Sequence, residues 1–174
     1  MKDTPVPPYF DLELFLLTAE ESRLNGDDLD QCAALWDLWS REIALAAVTV
    51  GKGRYLAVWL SEAVEKTVDQ TWAESPSKGF RLNALAQTLC MCAVHERIPE
   101  VEEAGCAPVP APSEELAAAL TAAGLPARAT DALILARRYA VVTRAPFSGG
   151  CETCALLSSC PRSGQTGDRM FEVG

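Results

Sequence analysis

Three of the seven cysteines in this 174-residue chain lie close together near its end, in Cys151-Glu-Thr-Cys154-Ala-Leu-Leu-Ser-Ser-Cys160-Pro161. A Cys-x2-Cys pair puts two sulfurs on one tight loop, where both can reach one metal centre. A third thiolate farther on, followed by a proline that turns the chain away, suits an iron–sulfur cluster loop. The stretch has no aromatic residue and follows Gly149-Gly150, so burial alone gives no reason for three cysteines here. The first expectation is a [4Fe–4S] cluster, and the alternative is zinc. Either centre wants four ligands, and the loop offers Cys151, Cys154 and Cys160.

The fourth ligand must come from upstream. Cys106 sits in a loop between Gly105 and Ala107-Pro108, free of helical constraint, and is the first choice. Cys32 falls on the apolar stripe of a helix, where cysteine acts as a small hydrophobe. Cys92 shares a face with Leu85 and Leu89. Cys90 lies about 200° round the helix from it, at about 100° per residue, so one helix cannot easily offer both to the same centre. His95, the single histidine, makes a Cys-x2-His spacing with Cys92. That pattern could form half a zinc site or an activated thiol pair. The structural reading of a lone histidine near a helix end is a surface or capping residue.

The stretch Leu133-Ile-Leu-Ala-Arg-Arg138-Tyr139, through Arg144-Ala-Pro146, to Cys151-x2-Cys154-x5-Cys160 resembles the C-terminal cluster loop of iron–sulfur DNA glycosylases of the endonuclease III type. In that family a helix with a similar apolar-then-Arg-Tyr ending leads into Cys-x6-Cys-x2-Cys-x5-Cys, which binds a [4Fe–4S] cluster. The last three cysteines match Cys151, Cys154 and Cys160, while Ala140 to Arg144 holds no counterpart of the first. The family's glycine-rich hairpin with its catalytic lysine and aspartate has no match, so glycosylase activity is not implied. A distant cysteine followed by Cys-x2-Cys-x5-Cys is also similar to the cluster staple of recombination and CRISPR-associated exonucleases. There, one upstream ligand and three C-terminal ones clamp the domain. The resemblance implies the cluster type.

Other chemistry finds less support. Gly51-Lys52-Gly53 is too short for a phosphate loop, and nothing places a nucleophile beside His95. Glu100, Glu102 and Glu103 read as a solvated helix end before a cation site. Trp36, Trp39, Trp59 and Trp72 read as core or interface.

The elements that must position these residues read as helical, and the expected fold class is all-α, a bundle of five to seven helices. Phe10 to Arg23 carries Leu12, Phe15, Leu16 and Ala19 at helical spacing. Asn25-Gly26 ends it, and Asp27-Asp28 opens a second helix whose apolar stripe runs from Leu29 to Ile43. A third helix is expected over Arg54 to Trp72, with a hairpin pairing Val48–Val50 with Tyr55–Trp59 as its rival. A loop over Glu74 to Lys78 precedes a fourth helix, Phe80 to Arg97. Gly105 to Pro112 reads as an extended connector. Ser113 caps a fifth helix, Glu114 to Ala123, and Thr130 a sixth, ending near Val142. The domain is expected to span residues 1–162, with the cluster loop at 146–161 and a mobile tail at 163–174.

The chain carries a formal charge of −9, which repels phosphate and disfavours a nucleic-acid partner. Residues 125–174 are the exception at +2, and Arg137, Arg138, Arg144 and Arg162 are expected to offset thiolate charge there. No basic segment followed by an apolar run opens the chain, and no membrane-length apolar stretch occurs. The expected setting is therefore cytoplasmic, where thiols stay reduced and serve metal or redox chemistry before disulfides. These readings combine into a cluster-carrying protein with a structural, redox-sensing or electron-transfer role toward a protein partner. The alternatives are a zinc-stabilised interaction module and a nucleic-acid-processing accessory with a structural cluster.

Overall fold

The computed structural model describes residues 7–160. The chain runs α1 (Leu12–Thr18), α2 (Gly26–Trp39), β1 (Ala44–Val50), β2 (Gly53–Trp59), α3 (Glu62–Glu74), α4 (Pro76–His95) and α5 (Pro99–Ala104). It continues through α6 (Glu114–Ala122), β3 (Ala127–Ala129), β4 (Leu133–Leu135) and β5 (Ala140–Arg144) to two 3-10 turns, Cys151–Thr153 and Leu157–Ser159. About 49% of the described residues are helical and 16% are in strands. The all-α expectation is therefore corrected: this is a mixed α/β fold. The tail expected at 163–174, and Pro161 and Arg162, lie outside the described residues.

Two segments carry the correction. The first is the antiparallel hairpin β1–β2, in register from Ala44 opposite Trp59 to Val50 opposite Gly53. Its loop is Gly51-Lys52, with a positive φ of 56° at Gly51 alone, which suits a two-residue type II′ turn. The second is the stretch read as a sixth helix. It holds β4, which pairs with β3 just before it, and the first part of β5, which pairs antiparallel with β2, giving the sheet order β1-β2-β5. Of the residues that carried the glycosylase resemblance upstream of Cys151, Leu133–Leu135 and Ala140–Arg144 are strands and Ala136 to Tyr139 lie between them, so the helix expected there is not formed.

The central strand β2 is covered on both faces, which explains its apolar run from Tyr55 to Trp59. Leu56 and Val58 of β2 join the larger core with α4, while Ala57 packs into a smaller core with Val48, Val142 and Leu116 and Leu120 of α6. Helix α4 is the centre of the larger core. Ser75 precedes it with Pro76 in its first turn, and it buries residues around most of its circumference, including Leu82, Leu85, Leu89, Cys90 and Cys92. Helices α1, α2 and α6 have side-chain N-caps: Asp11, Asn25 and Ser113 accept from the amides of Leu14, Asp28 and Leu116. Arg81 of α4 bridges Glu21 and Asp28, each at 2.8 Å, tying α4 to the segment after α1 and to the first turn of α2.

Helices α3 and α4 approach closely at Gly79. A Cβ there would lie 2.5 Å from Trp72 Cα, against backbone that cannot swing aside. Gly79→Ala is expected to lower stability by about 1–3 kcal/mol through overpacking, read from the urea midpoint. An unchanged midpoint would contradict this account of the helix pair.

Candidate metal-binding loop

The approach to the cysteine loop is built by β5. Thr143, 1% exposed, donates from Oγ1 to the Pro108 carbonyl at 2.9 Å. This bond fixes the Gly105–Pro112 segment against the sheet. The segment is no free linker: Ala107, Pro108 and Pro110 are buried. After β5 the chain passes a cis Ala145–Pro146 bond and turns at Gly149, whose φ is 128°. That backbone conformation is one side-chain-bearing residues rarely adopt, so the turn favours glycine. The Glu152 carboxylate accepts from the Gly150 amide, and amide donation from Glu152 itself and Gly150 holds its pKa below the usual carboxylate value. Thr153 Oγ1 donates to the carbonyls of Gly149 and Gly150 at 3.2 and 3.1 Å. The loop is thereby ordered by its own short-range hydrogen bonds.

Within residues 151–160 burial follows residue type. Cys151, Cys154 and Cys160 are half-buried, and the seven residues between them are all exposed. Even Leu156 and Leu157 face solvent, at 42% exposure each, while the sulfur-bearing residues turn inward. Hydrophobicity would give the opposite arrangement, since leucine is the stronger hydrophobe. The Val109 amide donates to Cys154 Sγ at 3.4 Å, and the Ala155 amide donates to the Val109 carbonyl at 2.8 Å. Connector and loop are therefore joined at Val109, three residues after Cys106. Cys106 follows Gly105, which closes α5 with a left-handed φ of 70°, and it is exposed. Cys106 and Cys151 line the same groove. Among the described residues no three His, Cys, Asp or Glu side chains converge as a metal-ligating group. Cys106, Cys151 and Cys154 border the junction of connector and loop without forming a closed cage.

The other cysteines and the histidine lie elsewhere. Cys32, Cys90 and Cys92 are buried on α2 and α4. Cys90 Sγ donates to the Tyr139 carbonyl at 3.5 Å. Burial pushes these thiols up from the ordinary 9.0, to about 11 for Cys32 and about 12 for Cys90 and Cys92, so each stays protonated at neutral pH. Their pKa values are raised in the folded state, so folding favours the protonated form. Their contribution to stability is complete below pH 9 and is lost as the pH climbs toward 11 and 12. The urea midpoint is expected to fall across that alkaline range, and to fall less steeply when all three are replaced by alanine. His95 lines the groove that Cys106 and Cys151 border. Burial lowers its pKa, opposed by the charges of Glu102 and Asp11.

Two of the arginines pair with helix α3. Arg138 forks onto Asp69 of α3 at 2.7 and 3.2 Å, and Arg137 reaches Glu62 and Glu65 at 3.7 Å. Arg144 stacks near the Tyr55 ring, 5.8 Å from its centroid. Arg137 and Arg138 thus answer carboxylates of α3, Arg144 lines a pocket with Gly149 and Thr153 of the loop, and Arg162 lies outside the described residues. The sequence also left two participants unmarked, the Val109 amide and the Thr143 hydroxyl. A backbone donor has no sequence signature, and Thr143 fell at the edge of an expected helix.

Compared with protein-family models, curated proteins and solved structures, the chain matches none. Among the described residues no helix is long and apolar enough to cross a membrane. The loop's chemistry must be argued from its own residues.

Removing the anchor should be felt at the loop. Thr143→Val deletes the donor to the buried Pro108 carbonyl and is expected to cost about 1–3 kcal/mol. It should also lower the metal content of purified protein although no thiol is touched. Full metal loading in a destabilised Thr143→Val would separate the connector from the site.

Proposed function

We propose that this protein carries a [4Fe–4S] cluster on Cys151, Cys154, Cys160 and Cys106, and that it serves a protein partner in the cytoplasm in a structural, redox-sensing or electron-transfer role. The observation that carries the reading is the selective inward turn of the three loop cysteines, with solvent left to their leucine neighbours. The Val109 amide at Cys154 adds to it, because a backbone N–H aimed at sulfur favours the thiolate that ligates metal. Cys106 is favoured over Cys32, Cys90, Cys92 and His95 as the fourth ligand. It is exposed and lines one groove with Cys151, while the other three thiols are fixed in the core and held protonated.

Binding requires the loop to draw its sulfurs together, a local motion of short 3-10 turns that leaves the sheet in place. When bound, the cluster supplies a one-electron centre or a cross-link between the connector and the chain end. What the chain's own residues do is present the thiols, direct an amide at one of them, and shield the inner side of the site with the buried connector.

The test is anaerobic purification followed by iron, acid-labile sulfide and zinc analysis. Brown protein with equal iron and sulfide supports the reading, and bleaching by dithionite would favour a redox role over a purely structural one. Colourless protein holding one zinc per chain would replace it with the zinc-stabilised module.

A further inference from the structure

The groove bordered by Cys106 and Cys151 has a volume of about 1040 Å³ and is bounded by α1, α4, α5, the connector, β4, β5 and the loop. That is at the upper end of small-molecule pockets and has room for several side chains. Its floor and walls are apolar, with Leu14, Leu17, Met91, Leu133, Leu135 and Leu156 among the lining residues. Leu17 is 60% exposed and Leu156 42%, so apolar surface is offered to solvent there. Met91 adds a flexible, polarisable contact of the kind that adapts to peptide side chains. The charged lining has a single sign. Asp11, Glu20, Glu102, Glu103 and Asp131 border the groove, and no lysine or arginine does among the described residues. His95 Nε2, shielded from solvent and without a hydrogen-bond partner among the described residues, lies in the same wall.

We infer that this groove is a docking site for a short segment of a partner protein in which basic and apolar residues alternate. The apolar side chains fill the floor, and the lysines or arginines reach the carboxylate border. The charge pattern decides the occupant. An acidic segment would meet five carboxylates, whereas a basic one gains both attraction at close range and steering from the whole −9 chain. The apolar and acidic lining named above comes mainly from helices and strands, with the connector and the loop closing one border.

The probe is a short fluorescein-labelled peptide of alternating leucine and lysine, titrated against the full chain by fluorescence anisotropy. A matched peptide of leucine and glutamate is the control. Saturable binding of the lysine peptide alone is expected, weakened about tenfold by Leu17→Ser combined with Glu102→Gln and Glu103→Gln. These side chains are exposed, so the fold should survive, as circular dichroism would verify. Removing the same charge on α6, through Glu114→Gln and Glu115→Gln, should change affinity less than about twofold, because that pair is not part of the groove. Equal loss in both variants would reduce the effect to general attraction by an acidic protein and overturn the inference. Failure of the lysine peptide to bind, or equal binding of the glutamate peptide, would overturn it as well. So would a dimer in light scattering that Leu17→Ser splits, which would give the groove to a second copy of this chain.

Discussion

Cys154→Ser is expected to abolish iron binding and to lower the thermal midpoint of the metal-loaded protein by roughly 10 °C. The first half follows from the position of Cys154. It is the middle ligand of the loop and the one whose sulfur receives the Val109 amide. Serine keeps the shape of the side chain and removes the soft donor that iron requires. The second half follows from topology. A centre shared by Cys106 and Cys151 closes a 45-residue segment, and the chain-entropy model assigns about 4 kcal/mol to a covalent closure of that length. At about 2–4 °C per kcal/mol for a chain of this size, the midpoint falls by the stated amount. Cys106→Ser should do the same. Cys92→Ser should leave iron content unchanged, whatever it does to the core. Iron analysis and calorimetry on the three variants, purified anaerobically side by side, check all of this. Iron retained in Cys106→Ser with iron lost in Cys154→Ser would keep the loop and move the fourth ligand.

Trp39→Ala is expected to cost about 3–5 kcal/mol, the largest loss from any single truncation outside the loop. Trp39 ends α2, is 2% exposed and belongs to the larger core. Removing the indole leaves a cavity between α2 and its neighbours that rigid helices cannot collapse. Exposed Trp72, at 44%, gives the contrast: Trp72→Ala should cost far less, although sequence pattern places both tryptophans in the same class. Urea denaturation of the two variants measures the difference, and similar midpoints would contradict the placement of the core.

The helices with caps were legible because their signals are local. Asn25 before Asp27-Asp28, and Ser113 before Glu114-Glu115, mark helix starts that the structure places at Gly26 and Glu114. The central strand β2 reads as helix in the sequence because it is buried on both faces. Leu56, Trp59, Leu60 and Ala63 happen to fall at helical spacing, yet Leu56 and Val58 face one core while Ala57 faces the other. A strand with two dry faces has no period-two alternation to reveal it. The better clue is Gly51-Lys52-Gly53 between β-branched and aromatic runs, which marks the hairpin. The later strands were hidden by alanine and arginine: Ala136-Arg137-Arg138 suggests helix, although Val141-Val142-Thr143 favours strand and pairs with β2. Pairing partners so far apart in sequence leave no local trace.

The site was legible in its residue types. Spacing singled out the three loop cysteines, and an uncommitted loop singled out Cys106. Neither could reveal that Thr143 would pin the connector or that Val109 would sit against Cys154, because both facts depend on the unrecognised strand β5. The groove was equally hidden, since its acidic border is assembled from Asp11, Glu20, Glu102, Glu103 and Asp131, which lie far apart along the chain.

X-ray absorption at the iron edge on anaerobically purified protein tests the central claim most directly. A [4Fe–4S] centre on four cysteines predicts a first shell of sulfur alone and a second shell of neighbouring iron atoms, with the second shell lost in Cys154→Ser. A first shell of nitrogen or oxygen, or iron with no iron neighbour, would contradict it.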